Sequence, residues 1–236
     1  MSYAKDLAKA ALQIRAIKLS PEEPFTWASG FRMPIYNDNR LFLGYPKLRE
    51  MIAESFADMV DTYFSNYSNL VIAGTSTAGI SPATTLADYL ELPIIYLRDK
   101  PKDHGLKNQI EGVDADSNLS GKNVIVIEDL ISTGGSSVKA VNAVQNAKGN
   151  CKHCFSIFTY GFKKAEEMFS GKIDYETGKK LSESCIQQSI FDYDLLLEVA
   201  KEVGYLPQNE IDFLKNWRED PFSWGAKHGF PQINKS

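Results

Sequence analysis

The stretch VIVIEDLISTGGS, from Val124 to Ser136, decides the fold. It opens with a short apolar run of the length of a buried strand, and two carboxylates follow directly. Hydroxyls and glycines then lead into a helical pattern that begins near Ser137. The stretch therefore predicts a strand, a loop and a helix, in that order.

The loop has the composition of an anion site. Gly134 and Gly135 can take positive φ and let backbone N–H groups come close to an anion. Hydroxyl donors are supplied by Ser132, Thr133 and Ser136. Because the start of a helix adds partial positive charge, the sequence predicts a bound phosphate here.

The two carboxylates, Glu128 and Asp129, need a different ligand because they would repel a phosphate. A vicinal ribose diol can donate hydrogen bonds to both, so the whole stretch indicates a sugar phosphate. The alternative is an ordinary turn with solvated acids, which the ordered pattern disfavours. The stretch has neither the lysine of a Walker loop nor the G-x-G-x-x-G spacing of a dinucleotide site.

Short apolar runs recur on both sides of this stretch. They alternate with helical segments, which is typical of a parallel sheet covered on both faces. The predicted strands are Leu70 to Ala73, Pro93 to Leu97, Asn123 to Ile127 and Cys154 to Tyr160. The sequence therefore predicts an α/β fold with helices on both faces of the sheet.

The chain has 236 residues, 43% of them hydrophobic, which suits one core. We expect a single domain, 1–236, with an N-terminal helix and hood segment at 1–45 and an α/β core at 46–165. A helical C-terminal extension, in which no further strand is expected, follows at 166–236.

Polar segments follow the predicted strands, where ligands of open parallel sheets bind. GTSTAG, from Gly74 to Gly79, is either a tight connection or a diphosphate loop with hydroxyls from Thr75, Ser76 and Thr77. The segment at 98–112 is basic, and its cations are Arg98, Lys100, Lys102, His104 and Lys107. Composition alone favours a solvated loop for it, whereas its position makes it a candidate lid over a diphosphate.

The segment FTWASGFRMPIYNDNR, from Phe25 to Arg40, is aromatic, polar and irregular. Its aromatic residues Trp27, Phe31 and Tyr36 are either core or a stacking surface for a flat base near Ser29 and Gly30. The sequence leaves these two interpretations open.

Composition limits the protein class. With 26 Lys+Arg against 30 Asp+Glu, the formal charge of -4 argues against a nucleic-acid partner. The sequence contains no run of about 18 apolar residues that would predict a membrane span. The three cysteines form no dense framework, which fits a reducing compartment. We therefore expect a soluble, cytoplasmic protein.

The stretch at Val124 to Ser136 resembles the signature of the type I phosphoribosyltransferases for 5-phospho-α-D-ribose 1-diphosphate (PRPP). Three further segments resemble the orotate phosphoribosyltransferase family in particular. They are FTWASGFRMPIYNDNR as the substrate segment, GTSTAGI as the diphosphate loop and YLRDKPKDHGLKNQIEG, from Tyr96 to Gly112, as the mobile catalytic loop. The resemblance implies that family's fold, with about five parallel strands and a hood from the N-terminal segment and part of the C-terminal tail.

The resemblance also implies roles for individual residues. Lys102, Asp129 and His104 would be catalytic, and Ser132, Ser29 and Gly30 would contact orotate. The implied PRPP-binding residues are Arg98, Lys100, Lys102, His104, Glu128, Asp129, Leu130, Ile131, Ser132, Thr133, Gly134, Gly135, Ser136, Thr75, Ser76 and Thr77.

The implied reaction joins orotate to PRPP and gives orotidine 5'-monophosphate and diphosphate. Mg²⁺ would be held mainly by the substrate, with no metal ligand directly from the protein, and a homodimer would share the loop 98–112 between subunits. A phosphoribosyltransferase for another nucleobase, or a non-catalytic regulator that senses PRPP, remains an alternative.

This chain departs from the family at three positions. Some branches place lysines where Ala28 and Ala78 stand here, and an arginine after the last core strand. These contacts are absent or are replaced by Arg32, Lys100 or Lys163.

Overall fold

The fold is given by a computed structural model that describes residues 3–99, 109–113, 118–171, 181 and 183–233. The strands are β1 (Ile17–Leu19), β2 (Phe25–Thr26), β3 (Arg32–Met33), β4 (Ile35–Asn37), β5 (Leu70–Thr75), β6 (Ile94–Leu97), β7 (Ile110–Glu111), β8 (Asn123–Ile131), β9 (Asn150–Thr159) and β10 (Ile186–Asp192). The α-helices are α1 (Ala4–Gln13), α2 (Pro46–Tyr63), α3 (Ile80–Leu90), α4 (Gly135–Asn146), α5 (Lys163–Phe169), α6 (Tyr193–Glu202), α7 (Gln208–Trp217) and α8 (Pro221–Lys227), and a 3₁₀ helix spans Asn39–Gly44.

The central sheet has six strands within the described residues, in the order β10-β9-β8-β5-β6-β7. All neighbours are parallel except β7, which runs antiparallel to β6. The predicted α/β fold with about five parallel strands is therefore confirmed. The antiparallel β7 lies in the predicted loop at 98–112 and pairs with the end of β6, with Tyr96 opposite Glu111 and Leu97 opposite Ile110.

Alternate residues of each central strand enter opposite halves of the core. Ile125 and Ile127 of β8 pack in one hydrophobic cluster with residues of α1, α2, α3 and α6. Val124 and Val126 pack in the other cluster, with residues of α4 and α5. Because successive side chains of a strand point to opposite faces, a sheet covered on both faces requires such continuous apolar runs.

The expectation of a purely helical extension after residue 166 is wrong, because β10 lies within it and joins the sheet beside β9. The sequence of β10 hid the strand. It contains Gln187, Gln188 and Ser189, which are half-buried at the edge of the sheet, so no continuous apolar run marks it. The predicted helical segments after it are α6 and α7.

The N-terminal segment and the C-terminal tail form a cover over the carboxyl end of β9. The Trp27 ring lies 5.6 Å from the Tyr160 ring and 6.3 Å from the Trp217 ring. The turn at Ser29 and Gly30 is held by residues near the C-terminus, since the Ile233 amide donates to the Gly30 carbonyl at 3.0 Å. The Gln232 side chain donates to the Ser29 carbonyl at 2.9 Å.

Among the described helices, none is both long enough and apolar enough to cross a lipid bilayer.

Candidate active site

The carboxylate pair lies in the last part of β8, between β5 and β9. Glu128 is 7% exposed, and its Oε1 accepts a hydrogen bond from the Thr75 hydroxyl of β5 at 2.7 Å. The Asp129 backbone N–H donates to the same oxygen at 3.1 Å, and the Ser137 hydroxyl lies 3.3 Å from Oε2. Glu128 therefore ties three segments together: β5, β8 and the first turn of α4.

Burial and the neighbouring charge of Asp129 raise the pKa of Glu128 well above its ordinary value. Burial also raises the pKa of Asp129, although hydrogen bonding to Glu128 and backbone N–H groups and the charge of Arg40 oppose this rise. Asp129 is the more accessible of the two residues. It is therefore the carboxylate better placed to meet a ligand.

The loop after β8 turns sharply into α4. Gly134 has φ of 84°, and a Cβ there would lie 3.3 Å from the Cα of Ala165, so this position requires glycine. A Cβ on Gly135, the first residue of α4, would meet no atom within 4 Å. The space over the helix start is therefore open, and the N–H groups of the first turn, which lack intrahelical partners, can reach an anion.

The loop after β5 packs closely against β8. A Cβ on Gly79 would lie 2.5 Å from the Ile127 carbonyl oxygen, so only glycine fits between the two segments. The peptide bond between Ser76 and Thr77 is cis. Ser76 and Thr77 face a cleft, whereas the Thr75 hydroxyl, expected as a diphosphate ligand, is buried and donates to Glu128.

The cleft at this edge of the sheet has a volume of about 530 Å³ and is mostly polar; we call it the sugar cleft. Its walls come from the segment before the 3₁₀ helix, the loop after β5, the start of α4 and the acid pair. They comprise Asn37, Asp38, Arg40, Ser76, Thr77, Ala78, Asp99, Glu128, Asp129, Leu130 and Ser136.

A second cavity of about 530 Å³ adjoins the sugar cleft and shares Asn37 and Leu130 with it; we call it the base cavity. Its other lining residues are Thr26, Trp27, Ala28, Ser29, Tyr36, Ser132 and Tyr160. Three aromatic rings and three hydroxyl-bearing side chains outside the rings suit a flat polar ring. Trp27 and Tyr36 thus line a cavity, whereas Phe31 packs against Phe222 at 5.2 Å.

The structure brings together many of the predicted residues, but not all. Gly30 is buried and does not line the base cavity, and the Ile131 side chain is fully buried in the core. The guanidinium of Arg98 pairs with Glu111 of β7 at 3.2 Å. Lys100, Lys102 and His104 lie outside the described residues, and so does Lys107.

Arg32, Lys100 and Lys163 were expected to replace the lysines and the arginine that other branches of the family use. The structure does not place the two described ones, Arg32 and Lys163, in the lining of the base cavity. Arg32 donates to the Pro24 carbonyl through Nη2 at 2.8 Å, and it does not line the base cavity. Lys163 is exposed at the start of α5. Lys100 lies outside the described residues.

Sequence reasoning missed several residues of the site. Asn39 is 3% exposed and donates from Nδ2 to the Asp129 carbonyl oxygen at 2.7 Å, while its Oδ1 accepts from Asn37 at 3.0 Å. Ser137 contacts Glu128, and Arg40 lines the sugar cleft. A sequence signal for Asn39 and Arg40 was available. They belong to the polar run NDNR, which directly follows the strand-like pair Ile35 and Tyr36, and polar residues that follow a strand often line a site.

Comparisons with known proteins agree with this geometry. The phosphoribosyl transferase domain family matches residues 45–190. Orotate phosphoribosyltransferase of Listeria monocytogenes serotype 4b (strain F2365) is 44% identical over 225 residues, which cover 95% of this chain and 100% of that protein.

Two solved structures are similar in fold. Orotate phosphoribosyltransferase from Aeropyrum pernix has a TM-score of 0.64 at 22% identity and covers 85% of this chain and 99% of its own. The Mycobacterium tuberculosis H37Rv orotate phosphoribosyltransferase in complex with PRPP has a TM-score of 0.57 at 21% identity, with 82% of this chain and 98% of its own covered.

Proposed function

Because this chain belongs to the orotate phosphoribosyltransferase family, it transfers a phosphoribosyl group from PRPP to orotate in UMP biosynthesis, and we propose that the two cavities divide the substrates between them. The sugar cleft binds PRPP, and the base cavity binds orotate. The observation that carries this assignment is the carboxylate pair near the end of β8, in a cleft that adjoins an aromatic cavity.

Asp129 binds the ribose diol in this proposal, and Glu128 fixes the walls of the cleft. Asp129 supplies accessible carboxylate oxygens, whereas both oxygens of Glu128 already accept hydrogen bonds from Thr75 and Ser137. A carboxylate beside C1 also stabilises positive charge that develops on the ribose ring.

The 5'-phosphate binds at the loop Ser132 to Ser136 and the first turn of α4. Support comes from the open space over Gly135 and from the unpaired N–H groups of a helix start. This phosphate does not react, so its binding energy serves to orient C1.

Orotate lies in the base cavity, where Ser29 and Ser132 offer hydroxyl donors and Trp27 and Tyr36 offer ring faces. In the reaction, the bond between C1 and the diphosphate oxygen breaks with its electron pair on the diphosphate, and a ring nitrogen of orotate bonds to C1 and gives up its proton to the departing diphosphate. The leaving group gathers negative charge, so catalysis depends on cations aimed at it.

The loop 98–112 supplies those cations in our proposal, with Lys102 as the catalytic one and with Arg98, Lys100 and His104 as further diphosphate ligands. Support comes from the family resemblance and from the position of Asp99, which lines the sugar cleft at the start of this loop. A loop that closes over the cleft would also keep water from hydrolysing the activated sugar.

Mg²⁺ fits the donor set of the sugar cleft, whose lining residues offer carboxylate and hydroxyl oxygens. The described residues contain no group of three or more His, Cys, Asp or Glu side chains arranged to hold a metal. In our proposal, substrate oxygens hold most of the magnesium coordination. When bound, the ion neutralises diphosphate charge. The chain's own task is to hold the diol and both phosphate groups in place.

We further propose a single domain, a homodimer and a cytoplasmic location. A hydrophobic cluster that runs from Leu7 to Trp224 supports the single domain. Exposed apolar side chains beside the site, at Leu41 and Leu43, support an interface. Three free cysteines support a reducing compartment.

The test is diphosphate release from PRPP and Mg²⁺ with a panel of bases. We expect release with orotate and none with adenine, guanine, hypoxanthine or uracil, and a no-base reaction controls for hydrolysis. Release only with another base would overturn the assignment of the base cavity. Light scattering on the purified protein tests the homodimer.

A further inference from the structure

Arg40 is a cation of the sugar cleft that the family resemblance does not assign. It stands at the start of the 3₁₀ helix and lines the cleft together with Thr77, Ala78 and Asp129. It also lines a smaller apolar cavity that contains Thr77 and Ala78. Arg40 therefore faces the loop after β5 from the N-terminal segment.

The guanidinium of Arg40 is held in one orientation. Its Nε donates to Oδ1 of Asp38 at 2.6 Å, and its Nη2 donates to Oδ2 at 2.9 Å. Asp38 also accepts from the Arg40 backbone N–H at 3.2 Å, as the cap of the 3₁₀ helix. The Arg40 guanidinium in turn holds the pKa of Asp38 below its ordinary value.

This two-point pair leaves Nη1 of Arg40 without a partner among the described residues, on a side chain that is 63% exposed. A guanidinium has donors to spare after one carboxylate is bound, and planar two-point contacts to phosphate are its usual use. Arg40 can therefore bind an anion without releasing Asp38.

The position of Arg40 is fixed relative to the acid pair. The adjacent Asn39 is buried and donates to the Asp129 carbonyl oxygen, so a hydrogen bond ties the start of the 3₁₀ helix to β8. Asp129 and Arg40 are close enough for their charges to attract. The guanidinium thus lines the same cleft as Asp129 and the loop residues Ser76 and Thr77.

The charged side chains that line the sugar cleft show what Arg40 contributes to it. Its lining contains four carboxylates, Asp38, Asp99, Glu128 and Asp129, and within the described residues its one cation is Arg40. Ala78, in the same wall, contributes only a methyl group. Among the described residues, Arg40 is therefore the one side chain of this cleft that can offer positive charge to a diphosphate.

We propose that Arg40 binds the diphosphate of PRPP through its Nη1 side, at the wall where Ala78 supplies no charge. This proposal rests on the assignment of the sugar cleft to PRPP. The alternative is a purely structural role for Arg40, as one half of a surface ion pair with Asp38. Such a pair would contribute little to stability and nothing to ligand affinity.

Isothermal titration calorimetry with two probes tests the proposal. Inorganic diphosphate with Mg²⁺ reports on the proposed contact, and ribose 5-phosphate reports on the diol and 5'-phosphate sites alone. We expect Arg40→Gln to weaken diphosphate affinity about tenfold and to change ribose 5-phosphate affinity less than twofold. Arg40→Lys, which keeps the charge but loses the planar contact, should fall between Arg40→Gln and wild type.

Arg49→Gln is the matched control, because Arg49 donates to the Leu43 carbonyl of the same 3₁₀ helix but does not line the sugar cleft. Wild-type diphosphate affinity in Arg40→Gln would overturn the proposal. Equal losses for both probes, or an equal loss in Arg49→Gln, would also overturn it, because they indicate a distorted cleft.

Failure of the wider assignment looks different. If the cleft does not bind PRPP, the wild-type protein itself will bind neither probe, whatever residue stands at position 40. Thermal unfolding of each variant verifies that the protein is folded during the titrations.

Discussion

Glu128→Gln is expected to stabilise the ligand-free protein at pH 8. Glutamine has the shape of glutamate, and its Oε1 can still accept from the Thr75 hydroxyl and the Asp129 N–H. Its Nε2 can donate to the Ser137 hydroxyl, which lies 3.3 Å from the present Oε2. The substitution therefore removes a buried charge and keeps its hydrogen bonds.

The magnitude follows from the burial of this carboxyl group. An ionised group that is only 7% exposed costs several kcal/mol in lost hydration, about 5 kcal/mol by order of magnitude. The two shorter hydrogen bonds, from Thr75 and the Asp129 N–H, are each about 1.5 kcal/mol stronger to a carboxylate than to the amide of glutamine, so together they return about 3 kcal/mol. We therefore expect Glu128→Gln to raise the free energy of unfolding by about 2 kcal/mol at pH 8.

The pH dependence gives the sign of the effect. The folded-state pKa of Glu128 is raised above the ordinary value of 4.5, so the wild-type protein loses stability as the pH rises above about 4.5. The loss levels off above the folded-state pKa. Near pH 4.5 the group is largely protonated in the folded protein, so wild type and variant should differ little there.

Urea unfolding followed by circular dichroism at pH 5 and pH 8 measures both quantities. Glu166→Gln, at an exposed position on α5, is the control and should stay within about 0.5 kcal/mol of wild type. A Glu128→Gln variant that is less stable than wild type at pH 8, or a difference that does not change with pH, would refute the reasoning.

Three further predictions concern the cleft. Asp129→Asn should weaken PRPP binding about tenfold in calorimetry with little change in thermal stability, and unchanged affinity would reject the diol assignment. Lys102→Ala should lower turnover about 10²-fold or more, and wild-type turnover would exclude its catalytic role. Gly79→Ala should cost about 3 kcal/mol or more, because the added Cβ meets the Ile127 carbonyl oxygen at 2.5 Å. Gly44→Ala, which adds a Cβ with no atom within 4 Å, should remain near wild-type stability in the same urea titrations.

The central strands were predictable because both of their faces are buried. Four apolar runs with helical segments between them fit few architectures other than a covered parallel sheet. β10 was not predicted because it is an edge strand. Its half-buried glutamines interrupt the apolar pattern that marks a buried strand. The short β7 escaped because two paired residues are too few for any pattern.

The acid pair and its loop were predictable because their chemistry is contiguous in sequence. Residues Glu128 to Ser136 need only one strand and one turn to come together. Asn39 donates a hydrogen bond to the Asp129 carbonyl oxygen although it lies 90 positions away in the sequence. No local sequence pattern predicts that its side chain is buried. The same limit applies to Thr75, whose hydroxyl was expected to face ligand but donates to Glu128 across the sheet.

The hydrogen bonds from Gln232 and Ile233 to the turn at Ser29 and Gly30 have a consequence for biosynthesis. They join residues as many as 203 positions apart, beside the base cavity. On the ribosome, residues 232 and 233 are added after every strand of the sheet, which ends with β10 at Asp192, so this turn gains its partners only when the sheet has been synthesised. The turn beside the base cavity is therefore completed later in synthesis than the strand that carries the acid pair.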